Sequence, residues 1–243
     1  MEILRISIRA ESMTNIILIS NGSRPRLLEQ ALRTMYDNTP ANQFTLTIVF
    51  DGTNLDEVND YSSFVLSRLK GTASIIALPG PCNIVGRLKN LGAYWSEKQF
   101  GRGEWLCFLD DDMALFPGWL ENMIAVADST NQLRLLGGVR HPYHGVNLGE
   151  SRYGFGWEIT DAVAGYCHFM RWSTWDRFGP YDAHAKGTGQ SEDFVICRKI
   201  VDAGGKVGYI HPPAMAHCGL TNSEGKPILG GELIERIPNV IYE

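Results

Sequence analysis

The chain is poor in the features that would make it a secreted scaffold or a membrane protein. Its five cysteines, Cys82, Cys107, Cys167, Cys197 and Cys218, are odd in number and contain no C-x-x-C pair. That argues against a disulfide framework and for a reducing compartment. No apolar run reaches the ~18–20 residues needed to span a bilayer. Met1 to Asn15 mixes charges with single apolar residues and lacks a signal-peptide core. A soluble, cytoplasmic protein is therefore expected. Repeats, charge runs and low-complexity tracts are absent. Basic charge is not in excess, because the formal net charge is −5. A general electrostatic grip on nucleic acid is thus disfavoured, and only a local basic groove stays open.

What is present is ordinary globular material. Hydrophobic residues make up 44% and charged residues 20%, which excludes collagen-like, coiled-coil and disordered chains. With 243 residues, one α/β domain is the expectation, since such domains reach ~250. The run N-I-I-L-I-S at Asn15–Ser20 suits a buried strand. Ser23 offers a helix cap, with Pro25 in the first turn and Leu27, Leu28, Ala31, Leu32 and Met35 at helical spacing. Phe44–Phe50 alternates as a strand and closes on Asp51-Gly52. Ala73–Leu78 is a third strand. A helix follows from about Ile84 to Gln99, with Ile84, Val85, Leu88, Leu91, Gly92 and Trp95 as its apolar stripe. Trp105–Leu109 is a fourth strand that runs into Asp110-Asp111-Asp112, and Pro117 opens the next helix.

This alternation predicts a mainly parallel central sheet flanked by helices. Ligands of such sheets bind beyond the carboxyl ends of the strands. Here those ends carry Ser20-Asn21, Asp51 and Asp110–Asp112. The second half is less regular. Strands are expected at Leu133–Val139, Ala162–Arg171 and Val207–Ile210, and a helix at Glu192–Ala203. His141 to Trp157 reads as a long loop, and Cys218 to Pro227 as a turn-rich, mobile tail.

The strongest chemical feature is F-L-D-D-D-M-A-L-F-P-G-W-L, Phe108 to Leu120. Three successive carboxylates after an apolar strand repel one another unless a cation neutralises them. Oxygen ligands of this kind suit Mg²⁺ or Mn²⁺, held by one or two carboxylates plus substrate phosphates. A solvated acidic turn is the plain alternative for a bare D-D-D.

In its ordered motifs the chain resembles the nucleotide-sugar-dependent glycosyltransferases of the Rossmann-like GT-A fold, above all their large second family. The resemblance covers most of the chain. I-S-N-G-S-R-P-R-L-L-E-Q-A-L is similar to that family's first strand and helix, with Asn21 and Ser23 in the nucleotide-facing turn. In I-V-F-D-G-T, Asp51 matches the acid that contacts the base, while Phe50 replaces a second acid often found there. N-I-V-G-R-L-K-N-L-G-A resembles the donor-side helix and places Asn83, Arg87, Lys89 and Asn90 near the donor. F-L-D-D-D-M matches the D-x-D element. By that match Asp110 touches the ribose, Asp111 lies beside the donor, and Asp112 binds the metal. Q-S-E-D-F-V-I-C-R-K resembles the helix that carries the catalytic base, with Asp193 as base and Glu192 as its rival or an acceptor ligand. P-P-A-M-A-H-C-G resembles the segment with a late metal-binding histidine, His217.

The resemblance implies one GT-A domain over residues 1–243. Its donor half is about 15–128, and its acceptor half, with base and tail, about 129–243. The implied reaction moves a sugar from a nucleotide diphosphate sugar, a UDP-sugar in the first instance, to an acceptor hydroxyl. A divalent cation, Mn²⁺ or Mg²⁺, stabilises the leaving diphosphate as a Lewis acid. A single base without a second enzyme nucleophile implies inversion. The acceptor is open: a glycan, a small molecule, or a hydroxymethylated base in DNA as in small viral glycosyltransferases. For DNA, Arg140, Arg152, Arg171, Arg177 and Lys186 are the candidate groove. A sugar nucleotidyltransferase is a further alternative, although Asn21-Gly22-Ser23 is too short for its usual glycine-rich, lysine-bearing loop. Weaker features are His141-x-x-His144 as a zinc pair, Trp157, Tyr166, Trp172 and Trp175 as stacking platforms, and Arg24 and Arg26 as phosphate contacts. Lys186, Thr188 and Gln190 are loop contacts to the acceptor, and Ser223 and Lys226 are tail residues over the diphosphate. Buried aromatics and solvated charges are the commoner roles for these types.

Overall fold

The computed structural model describes residues 13–52, 73–78, 82–140, 153–154, 156–184 and 191–219. His141, His144, Arg152, Lys186, Thr188, Gln190, Ser223, Lys226 and the tail beyond Gly219 lie outside the described residues. Eleven strands and five helices are described: β1 (Thr14–Ser20), α1 (Pro25–Asn38), β2 (Phe44–Phe50), β3 (Ala73–Ala77), α2 (Val85–Phe100), β4 (Trp105–Asp110), β5 (Met113–Leu115), α3 (Trp119–Asp128), β6 (Leu133–Gly137), β7 (Tyr153–Gly154), β8 (Trp157–Thr160), β9 (Cys167–Arg171), α4 (Trp172–Phe178), α5 (Glu192–Asp202), β10 (Lys206–Ile210) and β11 (Met215–His217).

Nine strands form one mixed sheet in the order β3-β2-β1-β4-β9-β6-β10-β8-β7. The first four are parallel, as their alternation with helices requires. The sense changes at β9, which lies antiparallel between β4 and β6. Strands from both halves of the chain thus share one sheet. Alternate side chains of β1 feed two cores. Ile16 and Leu18 pack under α1 and α3, through Leu28, Met35, Trp119 and Met123. Ile17 and Ile19 pack under α2, α4 and α5, through Leu88, Trp172, Phe178 and Ile196.

Several local expectations are corrected. Ser23 does not cap α1: Arg24 occupies the cap position, and the Ser23 hydroxyl donates to Asn21 Oδ1 at 2.6 Å. The stripe of α2 is partly rotated from the expected one: Leu88 and Gly92 are buried as expected, but its bulky ends are not. Val85 and Trp95 face outward at 41% and 39% exposure, while Gly86, Lys89, Gly92, Ala93 and Ser96 are buried. Gly92 explains this: a Cβ there would overlap the Ile17 side chain. The helix lies so close to β1 that small residues must face the sheet. The expected loop up to Trp157 contains the short hairpin β7–β8 at the sheet edge. Residues 161–166 precede β9 rather than forming its start. Besides that hairpin, strands β5 and β11 and helix α4 have no counterpart in the sequence reading. All five cysteines are free. Among the described residues no helix is long and apolar enough to cross a membrane.

Candidate active site

Register builds the site. Ile19 is level with Asp110, and Ser20 with Phe50, so three parallel strands end on one rim. Beyond that rim lies a cleft of about 290 Å³. Its lining includes Asn21, Arg24, Asp51, Asn83, Asp110 and Asp111. Five of the expected donor-side residues therefore converge on it. Asp51 also shapes it: its carboxylate accepts the backbone N–H groups of Cys82 and Asn83 at 2.5 and 2.9 Å. Asn83 takes the left-handed conformation there, at φ 50°. Ser23 and Arg87 are exposed and do not line the cleft. Asn90 binds the backbone of Tyr181 through both its amide groups, at 2.9 Å each.

The small second sheet completes the acidic corner. β11 pairs antiparallel with β5, and His217 lies opposite Met113. The Cys218 N–H donates to the Asp112 carbonyl at 2.8 Å. This ladder carries His217 Nε2 to 3.0 Å from Asp112 Oδ2, across the sequence gap between them. The Tyr166 ring lies against the His217 imidazole, with centroids 4.4 Å apart. Tyr166 is thus a wall of this corner rather than an open platform; its hydroxyl donates to the Val139 carbonyl. Trp157 and Trp172 are buried. Trp175 packs on Phe108 and Tyr181.

Asp111 and Asp112 are almost fully buried. Asp111 accepts the Ser20 hydroxyl at 2.6 Å, and Arg24 bridges both acids, at 2.8 Å to Asp111 and 2.5 Å to Asp112. The sequence offers Arg24 as a phosphate contact or a solvated helix-start charge, and nothing in it points to this bridge between the two acids. Desolvation opposes the charge on Asp112, but the hydrogen bond and charge of His217, with Arg24, prevail and hold its pKa below the usual range. Asp110 goes the other way. Loss of solvation, opposed by Lys89 and reinforced by Asp112, pushes it up to about 7.

A divalent ion is what the D-x-D resemblance leads one to expect here, and the side chains at this corner suit one. Asp112 Oδ1 and His217 Nδ1 are buried without a hydrogen-bond partner. A carboxylate oxygen and an imidazole nitrogen left bare on two contacting side chains fit a small divalent cation. Among the described residues no third histidine, cysteine or acid joins them. That suits an ion whose other ligands are phosphate oxygens and water.

The second corner is at the start of α5. Lys89, without exposed surface, donates to Glu192 Oε1 and to the Gly165 carbonyl, both at 2.8 Å. Its ammonium is engaged inside the protein rather than presented to the cleft. Asp193 is also buried. Its Oδ1 accepts the Ser191 hydroxyl and the Phe194 N–H, and its Oδ2 accepts the Gly165 N–H at 3.0 Å. For both acids desolvation is the largest influence, but it is outweighed. Lys89 holds Glu192 below its usual pKa, and Ser191 with His168 and Lys89 does so for Asp193. Both are carboxylates at neutral pH.

Two residues tie the corners together. Gly165 meets Asp193 and Lys89, while Tyr166 meets His217 with its ring and the Asp110 N–H with its carbonyl, at 3.0 Å. A Cβ on Gly165 would sit 2.9 Å from Glu192 Oε1 and 3.0 Å from Lys89 Nζ, so a side chain there would press on this ion pair. The candidate basic groove looks different. Arg140 pairs with Glu158, and Arg171 with Glu104 and Asp128. Those charges are balanced within the chain.

No family model and no curated protein matches this chain. Solved structures do. GalNAc-T7 with UDP, GalNAc and Mn²⁺ superposes with a TM-score of 0.67 at 14% identity, over 84% of this chain and 43% of that one. S. aureus TarS 1–349 gives 0.60 at 15% identity, over 84% and 59%. A second S. aureus TarS structure gives 0.61 at 14%, over 84% and 36%. The chain thus spans less than two thirds of the length of each. At such identities the likeness speaks for architecture alone. The chain has the fold of the GT-A glycosyltransferases.

Proposed function

We propose that this protein is a metal-dependent glycosyltransferase that moves a sugar from a UDP-sugar to an acceptor hydroxyl with inversion. One observation carries this reading. The β5–β11 pairing sets Asp112 and His217 3.0 Å apart, each with a bare buried atom, beside a cleft lined by Asn21, Asp51 and Asn83. Glycosyltransferase neighbours, one of them with UDP and Mn²⁺ bound, support it.

In this reading Asn21, Asp51 and Asn83 face the nucleoside, and Asp110 and Asp111 face the ribose and diphosphate side. Asp112 and His217 hold Mn²⁺ or Mg²⁺. Bound there, the ion supplies Lewis-acid stabilisation of the leaving diphosphate. Asp193 accepts the acceptor's proton. Its Oδ2 receives one N–H from the protein and keeps acceptor capacity for the substrate hydroxyl. Such a base contributes roughly 10²–10⁴-fold. Lys89 is a positioning residue that fixes Glu192 beside the base. The donor half is residues 15–128, and the acceptor half begins near residue 129.

Calorimetric titration of UDP, GDP, CDP and dTDP, each with Mn²⁺ and with EDTA, tests the site. UDP is expected to bind only with the metal, and Asp112→Ala to abolish the effect. No binding of any nucleotide would remove the basis for the transferase reading. Product stereochemistry by NMR tests inversion.

A further inference from the structure

Arg24 occupies a position the proposed reaction does not explain. Its guanidinium spans Asp111 and Asp112, at 2.8 and 2.5 Å, and its Nη1 shares Asp112 Oδ2 with His217. The side chain is one-third exposed, whereas its two partners are nearly fully buried. It also lines the nucleotide-sized cleft. The backbone of Gly219 lies directly over this ion pair: a Cβ there would overlap both Asp112 Oδ2 and Arg24 Nη1. A cation at Asp112 therefore meets a carboxylate whose other oxygen is already held by a cation, beneath the main chain of Gly219.

From this we infer that Arg24 is an internal counter-ion that hands over its place. It neutralises the acidic corner while the metal is absent. When a divalent ion takes Asp112, the guanidinium turns into the cleft and binds the nucleotide's diphosphate. The inference rests on the proposed nucleotide–metal site and deepens it. Two positive groups on one carboxylate repel, so either must weaken the other. A guanidinium matches phosphate oxygens as well as carboxylates through its planar fork. It is hinged at the cap position of α1 without a side-chain cap bond of its own, and its head reaches solvent. Asp111 keeps the Ser20 hydroxyl after the move. The diphosphate then favours the metal in two ways, by direct contact and by drawing Arg24 off Asp112. Linkage requires the converse as well.

The test is the affinity of Mn²⁺ alone, read by the EPR signal of the free ion, and of UDP at saturating Mn²⁺, read by calorimetry. Both are measured for the wild type and Arg24→Met. Hand-over requires opposite signs. Mn²⁺ alone should bind about tenfold more tightly to Arg24→Met, within the range of ordinary coupling. UDP with Mn²⁺ should bind about tenfold more weakly, as for a lost charge-assisted contact. A damaged corner would weaken both. Mn²⁺ binding that is unchanged or weaker in Arg24→Met overturns the inference, and so does tighter Mn²⁺ without loss of UDP affinity. Either result leaves the glycosyltransferase reading standing if the wild type binds UDP with Mn²⁺. A wild type that binds neither removes both. Near-UV circular dichroism checks the fold. If Arg24→Met does not fold, Arg24→Lys carries the same test. A point charge cannot bridge both acids, so smaller changes of the same opposite signs are expected.

Discussion

Glu192 and Asp193 are neighbours in sequence but are held by different means, and the difference is testable. Glu192 depends on one buried cation, whereas Asp193 has three donors from backbone and hydroxyl groups. Lys89→Met leaves Glu192 mostly buried without its charge partner. A loss of about 3–5 kcal/mol in denaturant unfolding is expected. Glu192→Gln added to Lys89→Met should restore part of it. If Lys89 instead served the donor directly, UDP affinity would fall and stability would hardly move. At the D-x-D element, Asp112→Asn should cut Mn²⁺-dependent UDP affinity by at least about 100-fold, since even supporting residues of a metal site are worth 10–100-fold. Calorimetry checks it. These acids were legible in the sequence through the ordered motifs that resemble the glycosyltransferases, because a solvated turn or a helix start accounts for bare acids equally well. Arg24 was not, because its partner lies 88 positions away and a lone arginine at a helix start has no local signature. Gly219 and Gly165 were equally silent, since what they avoid is contributed by distant chain.

Elements that carry their own periodicity were readable, and those defined by a neighbour were not. β1, β2, β3, β4, α1, α5 and β10 fall within a few residues of the expected spans, because each has a full apolar pattern. β5 and β11 have three residues each, too few for a pattern, and exist as a ladder only because they meet. That ladder is what joins Asp112 to His217. Helix α4, seven residues long, is likewise too short to carry a full apolar repeat. α2 shows a subtler failure. Leu88 and Gly92 of the expected stripe do face the sheet, but the bulky Val85 and Trp95 do not. Gly92→Ala should therefore cost about 1–3 kcal/mol by overpacking against Ile17 and Val49. Trp95→Ala, on the opposite side of the expectation, should cost well under 1 kcal/mol. Urea unfolding of the two variants decides between the faces. A larger loss for Trp95→Ala would contradict the observed rotation.

At the scale of the molecule, strand–helix alternation made the parallel half of the sheet legible, but nothing in a strand's own residues names the strand beside it. β9 closes the sheet by lying antiparallel between β4 and β6, and it carries His168 into the seam. This histidine has no exposed surface. Its Nε2 lies 2.9 Å from the Val163 carbonyl, which only accepts, so Nε2 carries the proton. Nδ1 then accepts the Tyr181 hydroxyl at 2.7 Å. A second proton on Nδ1 would break that bond and bury a charge. Desolvation, aided by Lys89, outweighs the pull of the Val163 carbonyl, Asp193 and Glu192, and lowers the pKa from 6.5 to about 4. Between those values the unfolded chain binds a proton that the folded chain refuses. Stability from this residue is therefore complete above pH 6.5 and is lost as pH falls towards 4, by about 3 kcal/mol in all. Asp110 acts with the opposite sign, because its raised pKa contributes stability at low pH that fades as pH rises towards 7. The two partly cancel in the wild-type profile, so the raw curve is uninformative and the difference between variants is the useful quantity. His168→Gln keeps a hydrogen-bonding group and removes the titration. Its stability deficit relative to the wild type should shrink by about 3 kcal/mol between pH 7.5 and pH 4, as followed by urea unfolding at each pH. A deficit independent of pH would mean that His168 titrates normally and that the seam is open to water.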